Sequence, residues 1–230
     1  MATTQLRFTA QDRRQQIMEL AAELFAHQGF DGTTTRQIAA RAGVNEALIF
    51  RHFPSKENLY WAVIDGKCQA GRMRGHLAAT LQSNAPDAEI FATIAEDILR
   101  RRGKDTAMTR LLLFTALENH RLSRRFFRKH VAELYELLSE YIRKRMDVGA
   151  FRPANPLIAA RAFLGMVFYH NLIQNIFGAN HYQKFDIKEV SKTLAGIWLQ
   201  GMLPPSPESC GRSAEKVLQH SSPNGGRTRE

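Results

Sequence analysis

The chain has 230 residues, of which 44% are hydrophobic, and a formal net charge of +10. This length suffices for one sizeable core, or for a small headpiece that shares its core with a larger body. The positive balance favours a polyanionic partner. However, residues 1–67 hold 8 Lys and Arg against 7 Asp and Glu, whereas residues 68–203 hold 20 against 12. Net charge alone therefore does not locate a nucleic-acid site.

Cysteine usage and hydropathy exclude several classes of protein. Cys68 and Cys210 are too few for a disulfide framework and have no ligand-like spacing to a histidine or to each other. The N-terminus MATTQLRFTAQDRR lacks the apolar centre of a secretory signal. The longest apolar stretch, residues 162–169, is far shorter than the roughly 20 residues that span a bilayer. We therefore predict a cytoplasmic protein with no membrane association, no metal and no cofactor.

The first third of the chain has the pattern of four helices. Thr9 and Asp12 have the spacing of a capping box, and Gly29 is placed to end the helix that follows. Two short helices are predicted over residues 34–42 and 45–53. Pro54 and Ser55 then introduce a fourth helix, which carries Leu59, Ala62 and Val63.

The rest of the chain also lacks the alternation of apolar and polar residues that is typical of strands, and it lacks the turn sequences that are typical of hairpins. Glycines at 66, 71 and 75 weaken the helical pattern, so the join between two units is predicted within residues 65–85. Asn84 and Pro86 open a helix that Gly103 closes. Further helices are predicted over residues 106–119, 123–147, 156–178 and 186–203. The fold class is all-α, with an N-terminal three-helix helix-turn-helix headpiece plus a C-terminal helical bundle, about nine helices in total.

We predict three segments from this pattern. Residues 1–67 form an N-terminal headpiece, and residues 68–203 form a larger helical body. Residues 204–230 are rich in Pro, Ser and Gly and have almost no apolar period. Such a composition cannot bury enough apolar surface to offset chain entropy, so a disordered tail is predicted.

The two short helices carry the functional prediction. Helices of about eight residues do not persist alone in water, so they must pack on something. Ile38 and Ala42 of the first can face Ile49 and Phe53 of the second, and Gly43 allows the sharp turn between them. This arrangement is a helix-turn-helix.

The second helix then has one face left for a partner. With Ile49 and Phe53 in the core, the opposite face presents several side chains, with the last two at its margin: Glu46, Ala47, Phe50, Arg51, Leu48 and His52. A helix fits the major groove of DNA, where Arg binds guanine, Glu accepts from cytosine, and Ala or Leu contacts a thymine methyl. Arg51 is the best candidate for reading a base.

Residues at the starts of the neighbouring helices complete the predicted interface. Thr34, Thr35, Arg36 and Lys56 occupy positions where hydroxyls, charges and backbone N–H groups bind phosphates. Thr34 also begins a capping box, and Asn45 is a good N-cap for the second short helix. These residues would set the register on DNA and not the sequence preference.

Residues 11–67 resemble the N-terminal domain of the TetR/AcrR family of bacterial repressors. The resemblance lies in GFDGTTTRQIAARAGVNEALIFRHFPSKENLY, which contains G-F-x-G-T-T, I-A-x-x-A-G-V and F-x-S-K-E-x-L-Y. It implies DNA contacts at Thr34, Thr35, Arg36, Asn45, Glu46, Ala47, Leu48, Phe50, Arg51, His52 and Lys56. The family usually has Tyr where this chain has Phe50, which removes a hydroxyl that commonly binds phosphate. Phe50 is then either a sugar or thymine contact, or part of the headpiece core.

The resemblance implies that residues 1–67 are a helix-turn-helix DNA-binding domain. It also implies that residues 68–203 are a ligand-sensing and dimerisation domain, with a dimer interface and a small-molecule cavity. Val190, Leu194, Ile197 and Trp198 have helical spacing in the last helix, where they would pair with a second subunit or be buried within the same one. A two-fold dimer predicts a palindromic operator. The candidate residues for the effector site are Phe114, Glu118, Phe163, Val167, His170, Asn171, Gln174 and Phe177. For each, a place in the core with satisfied polar groups is the alternative.

The predicted function is a sequence-specific DNA-binding transcriptional regulator, a repressor released from its operator by a small-molecule effector. The alternative is an architectural DNA-binding protein without an effector. An enzyme is not predicted, because the sequence has no nucleophile elbow, phosphate-binding glycine loop or paired-histidine metal motif. Basic clusters at residues 100–104 and 121–129 are solvated faces, or they favour an anionic effector or non-specific DNA attraction. The sequence does not decide between these.

Overall fold

The computed structural model describes residues 9–68, 70–104, 106–118 and 121–204, and every regular element within those ranges is helical. The all-α prediction is confirmed. The predicted disordered tail lies outside the described residues, apart from its first residue.

The N-terminal elements follow the predicted order. They are α1 (Ala10–Gln28), α2 (Thr35–Ala42), α3 (Glu46–His52) and α4 (Lys56–Cys68). The capping box of α1 is present, because the Thr9 side chain accepts from the backbone of Asp12 while the Asp12 side chain accepts from the backbone of Thr9. This pairing lowers the pKa of Asp12, chiefly through the hydrogen bond from the Thr9 side chain. Gly29 ends α1 with a φ of 73°.

The body contains α5 (Ala70–Leu81), α6 (Asp87–Lys104), α7 (Thr106–Leu117), α8 (Arg121–Phe126), α9 (Ala132–Asp147), α10 (Pro156–Asn175) and α11 (Ile187–Met202). A π-helical turn, Phe127–Val131, joins α8 to α9 without a break, and a short 3₁₀ turn, Ala179–His181, follows α10. Counting α8 to α9 as one helix, the described residues form ten helices apart from the short 3₁₀ turn, whereas the sequence predicted about nine.

The additional helix is α5, which lies where the sequence predicted a weakened join. Glycine costs a helix about 1 kcal/mol relative to alanine, and that cost motivated the prediction. In the structure, Leu77 of α5 is buried among body residues, and α5 packs against both α6 and α9. Tertiary packing therefore outweighs the low helix propensity of this segment.

The buried residues form two clusters. The headpiece core contains buried side chains of α1 to α4, and it also takes in Met108 and Leu111 of α7 and Leu122 of α8. The body core lies between α5, α6, α9, α10 and α11. Two helices that follow residue 67 thus complete the core of the first unit, although the predicted boundary assigns them to the second.

Polar contacts also bind α4 to the helices that follow it. The Tyr60 hydroxyl hydrogen-bonds the Thr115 hydroxyl, and Glu57 pairs with Arg121. About two turns further along α4, Asp65 pairs with Lys129 at 2.7 Å. The headpiece is therefore held to α7, α8 and the π-helical turn along most of the length of α4.

The body core is built on packed aromatic rings. Phe91 stacks on Trp198 with ring centroids 4.3 Å apart and meets Phe163 edge-on at 4.9 Å. The Trp198 indole N–H donates to the Ala159 carbonyl at 3.0 Å, so its polar atom is satisfied inside the core. Trp198 and Phe163 thus belong to the core of their own subunit.

Helix α10 has an unusual composition. By length and mean hydropathy it is the one described helix that would suffice to span a membrane, and 28% of its most apolar window is buried. Its inward side chains, Ala160, Phe163 and Val167, are fully buried in the body core. Such a helix is equally typical of a protein core.

Candidate nucleic-acid interface and ligand cleft

The two short helices pack as a helix-turn-helix. Ile38 and Ala42 of α2, together with Ile49 and Phe53 at α3, are buried in the headpiece core. Gly43 joins the helices with a φ of 64°, in the left-handed region that favours glycine. The predicted bracing of α3 by Ile49 and Phe53 is confirmed.

Capping side chains begin both helices as predicted. The Thr34 hydroxyl accepts from the Gln37 backbone at 3.2 Å, and the Gln37 side chain accepts from the Thr34 backbone at 2.8 Å. The Asn45 side chain accepts from the Leu48 backbone at 2.9 Å. Because these oxygens stabilise the helix starts, Thr34 and Asn45 hold α2 and α3 in place as well as lying at the predicted interface.

The outward face of α3 is open to solvent. Ala47 and Arg51 are exposed, Leu48 and His52 are half-buried, and Phe50 is 45% exposed. Phe50 is therefore not part of the headpiece core, which removes one of the two interpretations of this residue. Across the described residues, neither Arg51 nor the exposed Arg36 has an ion-pair partner, so both guanidinium groups are available to a ligand.

A contact that the sequence did not predict links α2 to α3. The Thr35 hydroxyl donates to the Glu46 carboxylate at 2.5 Å. A carboxylate has several lone pairs, so Glu46 keeps acceptor capacity for a base. Both residues thus join the two helices, whatever contact they make with DNA.

Lys56 also has a structural contact that sequence reasoning missed. Its ammonium group donates to the carbonyls of Phe30 at 2.9 Å and Thr33 at 3.0 Å, and lies 4.3 Å from the centroid of the Phe30 ring. An ammonium group has three donors, so one remains for a phosphate. Lys56 therefore stabilises the loop before α2 directly, and its phosphate contact stays a prediction.

The predicted effector residues separate into four places. His170, Asn171 and Gln174 line one cleft of about 650 Å³, formed by the end of α10, residues 176–186 and the start of α11, with Leu99 and Arg100 of α6 at its side. We call this the α10–α11 cleft. Burial lowers the pKa of His170, so the neutral imidazole is favoured there.

The other five predicted effector residues lie elsewhere. Phe163 and Val167 are fully buried in the body core, and Phe177 is 71% exposed. Phe114 and Glu118 lie against Gly29 at the end of α1, beside the headpiece. The helical spacing along α10 indicated which residues share one face. It did not show that this face lies in the body core at Phe163 and lines the cleft at His170.

These contacts define the class of protein. Helix α2 packs in the headpiece core and supports α3, a short helix with one face in that core. The free face of α3 carries Arg51 among apolar side chains. This geometry is that of a helix-turn-helix module joined to a helical body.

Comparisons with known proteins agree with this class. Residues 17–63 match the model for bacterial regulatory proteins of the tetR family, and residues 91–195 match the AefR-like transcriptional repressor C-terminal domain. Together the two models match more than half of the chain. The chain belongs to the TetR family of helix-turn-helix transcriptional regulators.

Individual relatives extend the comparison. The chain is 37% identical over 134 residues to the HTH-type transcriptional repressor Rv3405c of Mycobacterium tuberculosis, a match that covers 58% of this chain and 62% of that protein. It is 24% identical over 187 residues to the nucleoid occlusion factor SlmA of Actinobacillus pleuropneumoniae, covering 77% and 89%. The structure resembles AibR in complex with isovaleryl coenzyme A and operator DNA, with a TM-score of 0.62, 21% identity and coverage of 84% and 100%.

Proposed function

We propose that this chain is a sequence-specific, DNA-binding transcriptional repressor that a small-molecule effector releases from a palindromic operator. The observation that carries the proposal is the solvent-exposed face of α3, where Arg51 is exposed together with Ala47 and Phe50 and has no ion-pair partner among the described residues. The family supports it, because the chain belongs to a family of transcriptional regulators. Under this proposal the chain is not an enzyme and acts in the cytoplasm.

The outward face of the last two helices supports a homodimer. Ile158, Tyr169 and Ile197 are 64%, 63% and 55% exposed. On the same helices, a Cβ added to Gly165 or Gly196 would meet no atom within 4 Å. Apolar side chains grouped with bare backbone on one surface are typical of a protein interface. A two-fold dimer would place two copies of α3 on half-sites about 34 to 36 Å apart, or a multiple of that distance.

The effector part of the proposal rests on linkage. A small molecule that binds one body conformation better than another shifts the population towards it, and thereby changes operator affinity if the two conformations space the headpieces differently. AibR, which shares this fold, was solved with both an acyl coenzyme A and operator DNA. The contacts of α4 with α7, α8 and the π-helical turn offer a direct mechanical connection between headpiece and body.

The test starts by selecting bound fragments from random DNA with the full chain. We expect a palindromic consensus. Arg51→Ala should weaken binding to it by about 1 to 3 kcal/mol and relax the preference at one position in each half-site. Arg143→Ala is the matched control, since Arg143 lies on α9 in a surface pair with Glu140. Unchanged sequence preference in Arg51→Ala would contradict the base-reading role.

The alternative is an architectural DNA-binding protein, and the similarity to a nucleoid occlusion factor is the observation that favours it. Footprinting separates the two functions. A discrete protected palindrome supports the repressor, whereas uniform coverage that grows with protein concentration supports the architectural protein.

A further inference from the structure

The α10–α11 cleft has the size of a small-molecule site. Its volume is about 650 Å³, within the range of roughly 300 to 1,000 Å³ that is typical of ligand pockets. Its walls come from the end of α6 and, much later in the chain, from the last turns of α10 and residues 180–190.

The cleft has basic side chains and no acidic ones. The cations Arg100 and Lys184 line it together with the imidazoles of His170 and His181, and none of the described lining residues is an Asp or Glu. Arg100 is partly neutralised by Glu96, at 2.7 Å on the same helix. Within the described part of the chain no carboxylate pairs with Lys184, which is exposed. Lys184 is therefore the principal uncompensated cation of the cleft.

An unsatisfied donor in the wall gives a second, independent indication of a ligand. Asn171 is 1% exposed, and its side-chain oxygen accepts from Asn175 at 2.9 Å. Its side-chain nitrogen is buried and has no hydrogen-bond partner. A buried donor without an acceptor costs about 1 to 3 kcal/mol. An oxygen of a bound molecule beside Asn171 would remove that cost.

Apolar side chains form the rest of the wall. Leu99 and Val190 come from the body core, and Phe185 and Ile187 lie at the start of α11. The Phe185 ring contacts the His170 ring edge-on at 6.0 Å. An apolar surface beside a cation and a free donor suits a molecule with one anionic end and one apolar end.

We propose that the α10–α11 cleft binds an amphipathic organic anion, a carboxylate or phosphate head on an apolar chain. Lys184 and Arg100 attract the head, Asn171 donates to one of its oxygens, and Phe185, Ile187 and Leu99 contact the chain. The inference deepens the proposed function by giving the effector a chemical class, and rests on that function only for the role of effector. Charge-assisted hydrogen bonds to the head make the anion preferred over a neutral molecule of the same shape.

Calorimetric titration of the full chain with three matched probes tests the site. Octanoate and octyl phosphate carry the two anionic heads, and octanamide has the same chain with a neutral head. We expect at least one anion to bind about tenfold or more tightly than octanamide, and the stronger of the two identifies the head. Equal binding of all three probes, or binding of none at roughly millimolar concentration, would overturn the proposal.

Variants assign the binding to this cleft. Lys184→Gln removes an exposed charge without disturbing the core, and should weaken anion binding about tenfold. Lys192→Gln is the matched control, an exposed lysine on α11 that does not line the cleft, and should bind as the unchanged chain does. Equal affinity in the two lysine variants would place the anion elsewhere and overturn the assignment.

Asn171→Asp addresses the buried donor. It keeps the shape of the side chain but replaces the unsatisfied donor by an acceptor, so anion affinity should fall further than in Lys184→Gln, while octanamide binding changes less. Thermal unfolding of the same samples checks that this variant is folded. Operator binding without probe, measured separately, tests the proposed function, so that either proposal can fail while the other stands.

Discussion

The helix-turn-helix and the α10–α11 cleft differ in how their parts are distributed along the chain. The predicted DNA-binding face comes from residues 34–56, whose neighbours in space are mostly neighbours in sequence. The cleft combines residues 99–100 with residues 170–190. A site built from one continuous segment can be derived from spacing, because the local helices determine which side chains share a face. A site assembled from distant segments depends on how whole helices pack.

The two regions also differ in how they use their polar side chains. In the headpiece, Thr34, Asn45, Glu46 and Lys56 each satisfy a backbone or side-chain partner within the chain. In the cleft, the Asn171 nitrogen is buried without a partner. The headpiece is thus pre-organised before it meets DNA, whereas the cleft keeps an unsatisfied group that a ligand would complete.

The largest expected effect separates the buried and exposed sides of α3. Phe53→Ala removes a ring that is 2% exposed, and should lower the free energy of unfolding by about 3 to 5 kcal/mol. Phe50→Ala removes a ring that is 45% exposed, and should change it by less than about 0.5 kcal/mol. Denaturant unfolding of both variants measures the difference. Similar losses would contradict the division of this helix into a core face and a free face.

A smaller effect is expected at Lys56, where the headpiece combines structure and binding. Lys56→Met removes two charged hydrogen bonds to carbonyls, so the free energy of unfolding should fall by about 1.5 to 3 kcal/mol. Binding to all DNA sequences should also weaken. The slope of log affinity against log salt concentration should fall by about one, because one fewer counterion is released.

Lys188→Met, at an exposed position of α11, is the control for Lys56→Met and should alter neither quantity. A Lys56 variant with full stability but weaker DNA binding would show that the ammonium group serves phosphate alone. The headpiece would then be less pre-organised than its contacts indicate.

The smallest effect concerns pH and compares His130, buried in the π-helical turn beside α4, with His170, half-buried in the cleft. Burial is the largest cause that lowers the pKa of His130, beside α4, and of His170, in the cleft. A histidine with a lowered pKa binds fewer protons when folded than when unfolded, so stability rises with pH. The stability should therefore be complete above about pH 6.5 and decrease as the pH falls below it.

Thermal unfolding between about pH 5 and 8 measures this dependence. His130→Gln and His170→Gln should each reduce it, whereas His27→Gln, at an exposed position of α1, serves as the control. For His130, the attraction of Asp65, 3.2 Å away, opposes the effect of burial. A steeper loss of stability in acid after His130→Gln would mean that the attraction of Asp65 outweighs burial.

The sequence predicted the structure best where interactions between residues close together in the chain decide it. The capping boxes at Thr9 and Thr34, the turn at Gly43 and the bracing of α3 by Ile49 and Phe53 all follow from side-chain chemistry and helical periodicity, and all are present. It missed α5, because glycine propensity is a weak local preference that the packing of Leu77 overrides. It also missed the contacts of Lys56 with Phe30 and Thr33, since nothing in the spacing shows which carbonyls a long side chain reaches.

The amino-acid sequence by itself determined the helical class, the positions of the DNA-binding motif and the family, because periodicity, caps and turn residues act over a few positions. Only the tertiary structure decided that α7 and α8 complete the headpiece core, that Phe163 and Val167 are core and not cleft, and that Arg100 lines the same cleft as Asn171. These outcomes depend on the crossing of helices that are far apart in the chain. The free energy of such packing is a sum over many small contacts that no single motif specifies.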